Sequence, residues 1–156
     1  MMSCRLLFLL ATVTWFQANP SLPAIATADC ITAAEKLKLS TQERIDSRIK
    51  TYRDISERLH SSVESAIANK SFDEVPALLT CWKEHLAASG KDIEAKVNRK
   101  NKSGALINYE IQIRKSILDM HDAQLKVPLQ QQSEFESWLS QAEVIRKRFV
   151  DILFQR

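Results

Sequence analysis

Turn-forming residues are nearly missing from this chain, and apolar residues recur at steps of three and four. Its two glycines are Gly90 and Gly104, and beyond residue 28 its prolines are Pro76 and Pro128. A chain so poor in turn chemistry, with 26% charged residues, reads as all-α rather than as β-structure or disorder.

The periodicity predicts four long helices. The first covers residues 41–69, with the seam Ile45, Ile49, Tyr52, Ser56, Leu59, Val63 and Ala66 and with Ile55 widening it. A seam of this kind suits helices packed side by side at a shallow angle. Ser40-Thr41-Gln42-Glu43 has the form of a capping box and separates this helix from a short segment over residues 31–39. The second helix opens at a similar box, Ser71 to Glu74, and continues through Phe72, Val75, Leu79, Trp82, Leu86, Ser89, Ile93 and Val97. Pro76 falls near its first turn, where a missing N–H is tolerated.

The third helix, residues 105–126, is apolar on two sides. Leu106, Tyr109, Ile113, Ile117 and Met120 form one stripe; Ile107, Ile111, Leu118 and Leu125 form another. So broad a surface predicts neighbours on both flanks. The fourth helix follows a Gln130–Gln132 linker and a third box at Ser133–Glu136, with Phe135, Trp138, Ala142, Ile145, Phe149 and Ile152 as its seam. Val150, Leu153 and Phe154 make its end apolar nearly all round, which calls for cover by other helices or a partner. Short polar loops between long helices predict an antiparallel up-down four-helix bundle, with a hairpin that dimerises as the second choice.

The first 28 residues read as a cleaved signal peptide: Arg5, the apolar run from Leu6 to Phe16, then small residues at Ala26-Thr27-Ala28. The run is too short for a confident membrane anchor, and no long uncharged apolar stretch follows. Residues 29–156 are then one helical domain in a secreted, extracellular protein, or a periplasmic one if the source is bacterial. Only Arg5 of the charged residues precedes Asp29, leaving 21 Lys and Arg against 19 Asp and Glu. That balance gives no reason to expect nucleic acid as a partner.

Cys30 and Cys81 remain beyond the signal, and an oxidising compartment favours a disulfide. The geometry resists it. A continuous rod from residue 31 would carry Cys30 about 40 Å from the level of Cys81, so a bridge requires residues 30–40 to turn back and run largely extended. An intrachain bridge, interchain pairing through Cys30 and a buried Cys81 thiol all stay open. Asn69-Lys70-Ser71 and Asn101-Lys102-Ser103 are glycosylation sequons in expected loops.

Metal-site candidates are Glu57, His60, Cys81, His85 and His121. Glu57-x-x-His60 shares one helix face, Cys81 and His85 lie four apart, and His85 and His121 should stand at similar heights on adjacent helices. Ferritin-like iron sites need a second Glu-x-x-His, which is missing, and histidines flanking a seam are usually structural. No metal or other cofactor is therefore assigned. Lys96, Arg99, Lys100 and Lys102 form a basic loop, and Arg146, Lys147, Arg148 and Arg156 lie toward the same end. Solvated helix-end cations account for that pattern as well as an anionic partner does.

Hydrolase elbows, zinc-protease strings and phosphate-binding glycine loops do not occur, so no catalytic residue is assigned. The expected role is non-catalytic: protein–protein interaction, with an unknown partner or by self-association. The alternatives are a carrier of a small apolar ligand, with room at Ala87, Ala88, Ser89 and Gly90, or a metal-binding bundle.

Overall fold

The computed structural model describes residues 30–98 and 103–154. The described residues form five packed α-helices: α1 (Ala33–Thr41), α2 (Ile45–Ala68), α3 (Val75–Lys96), α4 (Gly104–Gln124) and α5 (Gln132–Phe154), with a 3-10 turn at Leu129–Gln131 before α5. The expected signal peptide, residues 1–28, lies outside the described residues.

The seams become the core. Ile49, Tyr52, Ile55, Ser56, Leu59, Val63 and Ala66 of α2 are buried, as are Val75, Leu79, Trp82, Leu86, Ser89 and Ile93 of α3. All six expected seam residues of α5, Phe135 to Ile152, are buried too. Burial of each large aliphatic or aromatic side chain contributes roughly 1.5–3 kcal/mol, so this one-sided pattern drives the helices together. At the centre Trp82 packs on Trp138 with ring centroids 4.2 Å apart, and the Trp82 indole N–H donates to Ser56 Oγ at 2.7 Å. Beside them the Tyr109 ring lies 5.3 Å from Phe149.

Helix α2 packs against α3 and α4, and α5 packs against the same two. Trp82 meets Ser56 and Asp92 meets Arg48, so α2 and α3 run antiparallel. Ser103 meets Asp46 while Ser116 meets His60, so α2 and α4 run parallel. Likewise Lys83 meets Ser137 and Glu94 meets Arg148, making α3 and α5 parallel. Two helical hairpins thus lie side by side, with α3 and α4 diagonally opposed. This differs from an up-down arrangement in which every neighbour is antiparallel.

Several helix ends differ from expectation. Ser40 and Thr41 belong to α1, and their hydroxyls bond back to the Leu37 carbonyl at 2.9 and 3.0 Å instead of capping α2. The capping box that forms is Thr32 with Glu35, at the start of α1. Helix α3 starts at Val75 without a side-chain cap, so Ser71 does not open it. Ser133 lies inside α5, because Leu129–Gln131 already winds into that helix. After α2, Lys70 takes φ 58° and the Ser71 N–H reaches the Ala66 carbonyl at 2.8 Å. Glycine usually fills this left-handed turn, and here a lysine adopts it.

The second stripe of α4 is the main correction. Ile107, Ile111, Leu118 and Leu125 are 38, 45, 63 and 81% exposed, so no described neighbour covers that flank. Its residues lie on the side of α4 away from the buried Leu106–Met120 stripe, and the four long helices saturate one core without them. At the end of α5, Leu153 packs on the core but Phe154 is 71% exposed.

Candidate functional site

Cys30 and Cys81 are joined as a disulfide, with Cα atoms 5.3 Å apart. The chain does turn back over α2, but as a helix. From the turn at residues 42–44 to the level of Arg58 is about 21 Å along α2. Nine helical residues supply about 13 Å and three extended ones about 10 Å, so an extended strap is unnecessary. Helix α1 is tied down at both ends. Near Cys30, Arg58 donates to Glu35 at 2.8 and 2.9 Å and to the Cys30 carbonyl at 3.0 Å. Near the turn, Arg48 donates to the Leu39 carbonyl and to Asp92.

The ion pairs fix the charge state of the strap. Burial would raise the Glu35 carboxyl, yet hydrogen bonds from Arg58 and Thr32 outweigh it and hold the group below its ordinary value. Asp92 behaves alike: burial pushes it up, and bonds from Lys96, Arg48 and Tyr52 bring it below the usual range.

His85 lies by this covered edge. It is buried rather than half-exposed, and its Nε2–H donates to the Tyr52 carbonyl at 2.9 Å, while Nδ1 is buried without a hydrogen-bond partner. Burial lowers its pKa to about 4, partly opposed by the Tyr52 bond and by Glu35. His85 is thus a neutral ring sealed inside the fold.

The remaining metal candidates do not assemble as expected. Cys81 is consumed in the disulfide. His121 is exposed on α4, which is diagonal to α3, and stands about a dozen residues along the helix axes from the level of His85. Glu57 is exposed, and the His60 ring instead faces Glu64, one turn on, and Asp119 of α4. His60 Nε2 lies 3.5 Å from Glu64 Oε1 and 3.6 Å from Asp119 Oδ2. The ring stacks on Trp82 at 5.3 Å and 22°, and Nδ1 is 3.4 Å from Ser116 Oγ. Sequence reasoning missed Glu64 and Asp119. His60 and Glu64 are spaced four apart, a readable signal, but Asp119 joins them only because α2 and α4 are parallel neighbours.

The space foreseen at Ser89 and Gly90 is filled. Ser89 and Gly90 are buried, Ala87 and Ala88 are exposed, and a Cβ at Gly90 would stand 2.6 Å from Ile145 Cδ1. Ser89 Oγ hydrogen-bonds Tyr109 at 3.1 Å, closing the polar edge. The basic end is largely compensated where it is described: Lys96 pairs with Asp92 at 2.6 Å, Arg146 with Glu110 at 3.1 Å, and Arg148 with Glu94 at 3.4 Å. Arg99, Lys100, Lys102 and Arg156 lie outside the described residues, as does the sequon residue Asn101. Asn69 is exposed at the C-terminus of α2, where an acceptor amide can be reached.

No helix among the described residues is long and apolar enough to cross a membrane. Comparison with protein-family models, curated proteins and solved structures finds no match for this chain.

Proposed function

We propose that this chain is a secreted, single-domain four-helix bundle, braced by a disulfide-anchored fifth helix, and that it works by self-association through the outer face of α4 rather than by catalysis. The carrying observation is the exposed stripe of Ile107, Ile111, Leu118 and Leu125. Ile111, Leu118 and Leu125 recur every seven residues, the spacing that keeps a seam in line against another helix. A second copy presents the same seam, so a two-fold arrangement buries both at once. The signal-like start and the Cys30–Cys81 bridge support an oxidising, extracytosolic setting. The filled space at Gly90 weighs against the carrier alternative.

Light scattering behind size-exclusion chromatography tests this reading. The exported protein is expected to form a concentration-dependent dimer, and Ile111→Glu combined with Leu118→Glu to leave a helical monomer. A native protein that stays monomeric at every concentration would sink the proposal.

A further inference from the structure

We propose that His60, Glu64 and Asp119 form a cation site between α2 and α4, with donor chemistry and spacing suited to zinc. One imidazole nitrogen and two carboxylate oxygens lie within 4.8 Å of one another. Four-coordinate zinc with bonds of about 2.0–2.2 Å places its ligand atoms roughly 3.3–3.6 Å apart. The two spans from His60 Nε2, 3.5 and 3.6 Å, match that separation. They exceed a good N–H···O hydrogen bond, and Nε2 is buried with no hydrogen-bond partner.

The surroundings prepare the ring for this role. Stacking on Trp82 fixes its plane, and Trp82 is itself held by Ser56. Ser116 Oγ beside Nδ1 offers an acceptor for Nδ1–H, which leaves the Nε2 lone pair directed at the carboxylates. His60 and Asp119 have side chains only 12 and 33% exposed, whereas Glu64 is exposed and free to swing inward. Three protein ligands leave the fourth position of a tetrahedral ion to water. A bound cation would also relieve the repulsion between two neighbouring carboxylates. The proposal rests on the α2–α4 contact and is independent of the outer face of α4.

Native mass spectrometry and isothermal titration calorimetry with zinc chloride, on the exported disulfide-intact protein, provide the test. The expected result is one zinc per chain, with affinity reduced at least tenfold in His60→Ala and in Asp119→Asn. Glu64→Gln changes only an exposed side chain, so it should fold normally and still lose about tenfold in affinity. His121→Ala, which alters a histidine on another face of α4, should bind as the native protein does. Zinc addition should also shift the His60 ring nitrogens in NMR. Native affinity retained in Glu64→Gln or His60→Ala would overturn the site. So would failure of the folded native protein to take up zinc, which would leave His60 beside Glu64 and Asp119 as a structural contact alone.

Discussion

Along the α2–α3 edge a short helix lies over the packed helices, bolted by Cys30–Cys81 and clasped by Arg48 and Arg58, whereas along α4 four large apolar side chains face outward with no cover from any described residue. Both flanks border the same core. The difference is that the first flank includes a buried imidazole, His85, while the second presents Ile107, Ile111, Leu118 and Leu125 among exposed polar residues such as Arg114 and His121. An internal helix covers one side, and the proposed self-association would cover the other.

The largest expected effect comes from releasing the cover. Replacing Cys30 and Cys81 by serine removes a link across a sequence separation of 51 residues, for which chain entropy gives about 4 kcal/mol. Chemical denaturation with and without reductant should show that loss. Hydrogen exchange should localise it, with residues 33–41 exchanging well before α2 to α5. Equal protection of α1 in the oxidised and reduced proteins would break the comparison, because the cover would then be held without its bolt.

Acid should act on the same flank. Folding lowers the His85 pKa from 6.5 to about 4, so the folded state prefers the neutral ring. The unfolded chain binds more protons between those values. Stability is therefore full above pH 6.5 and falls as the pH drops toward 4, by up to about 3 kcal/mol. The ring is influenced there by Glu35 and Arg58, and its proton is shared with the Tyr52 carbonyl. The depressed carboxyls Glu35 and Asp92 lose their contributions at lower pH, as it falls through their folded values, so the two windows separate. Urea unfolding at stepped pH should show the slope between 6.5 and 4, and His85→Gln should flatten it. A native profile already flat across that range would mean that the imidazole is not sealed.

What the residue pattern revealed follows from range. The seams of α2, α3 and α5 were readable because one apolar face per helix is a local periodicity, and the core obeys it from Ile49 to Ile152. The second stripe of α4 was readable as hydrocarbon but not as exposed, since periodicity does not say whether the same chain supplies the cover. Ser40 misled because a hydroxyl can bond back to its own helix as readily as it caps the next one, as Ser40 and Thr41 do at Leu37, while Ser71 and Ser133 misled because α3 starts only at Val75 and α5 already at Gln132. The bridge stays open in the residue pattern because periodicity does not tell a continuous rod from a chain that reverses at residues 42–44, and the reversal is what brings Cys30 to Cys81. His60 stood out, but its partner Asp119 lies 59 positions away in sequence on a parallel neighbour, a relation that only the topology creates.

The smallest expected effect on stability decides what the bare flank is for. Ile111 and Ile113 differ by two positions on α4, yet Ile113 is buried and Ile111 is 45% exposed. Truncating Ile113 to alanine should cost about 2–5 kcal/mol, the usual toll of a cavity in a packed core. Ile111→Glu and Leu118→Glu together should move the stability of the isolated chain by only about 0.5 kcal/mol, since no core contact is lost. Urea melts at a concentration too low for association make that comparison directly. At high concentration the melts should diverge, because a dimer stabilises the native chain by mass action and the glutamate variant cannot form one. If the glutamates instead destabilise the dilute monomer by several kcal/mol, the stripe is part of the fold and an internal segment covers it. If both proteins melt alike at every concentration, the flank is ordinary surface and self-association through α4 fails.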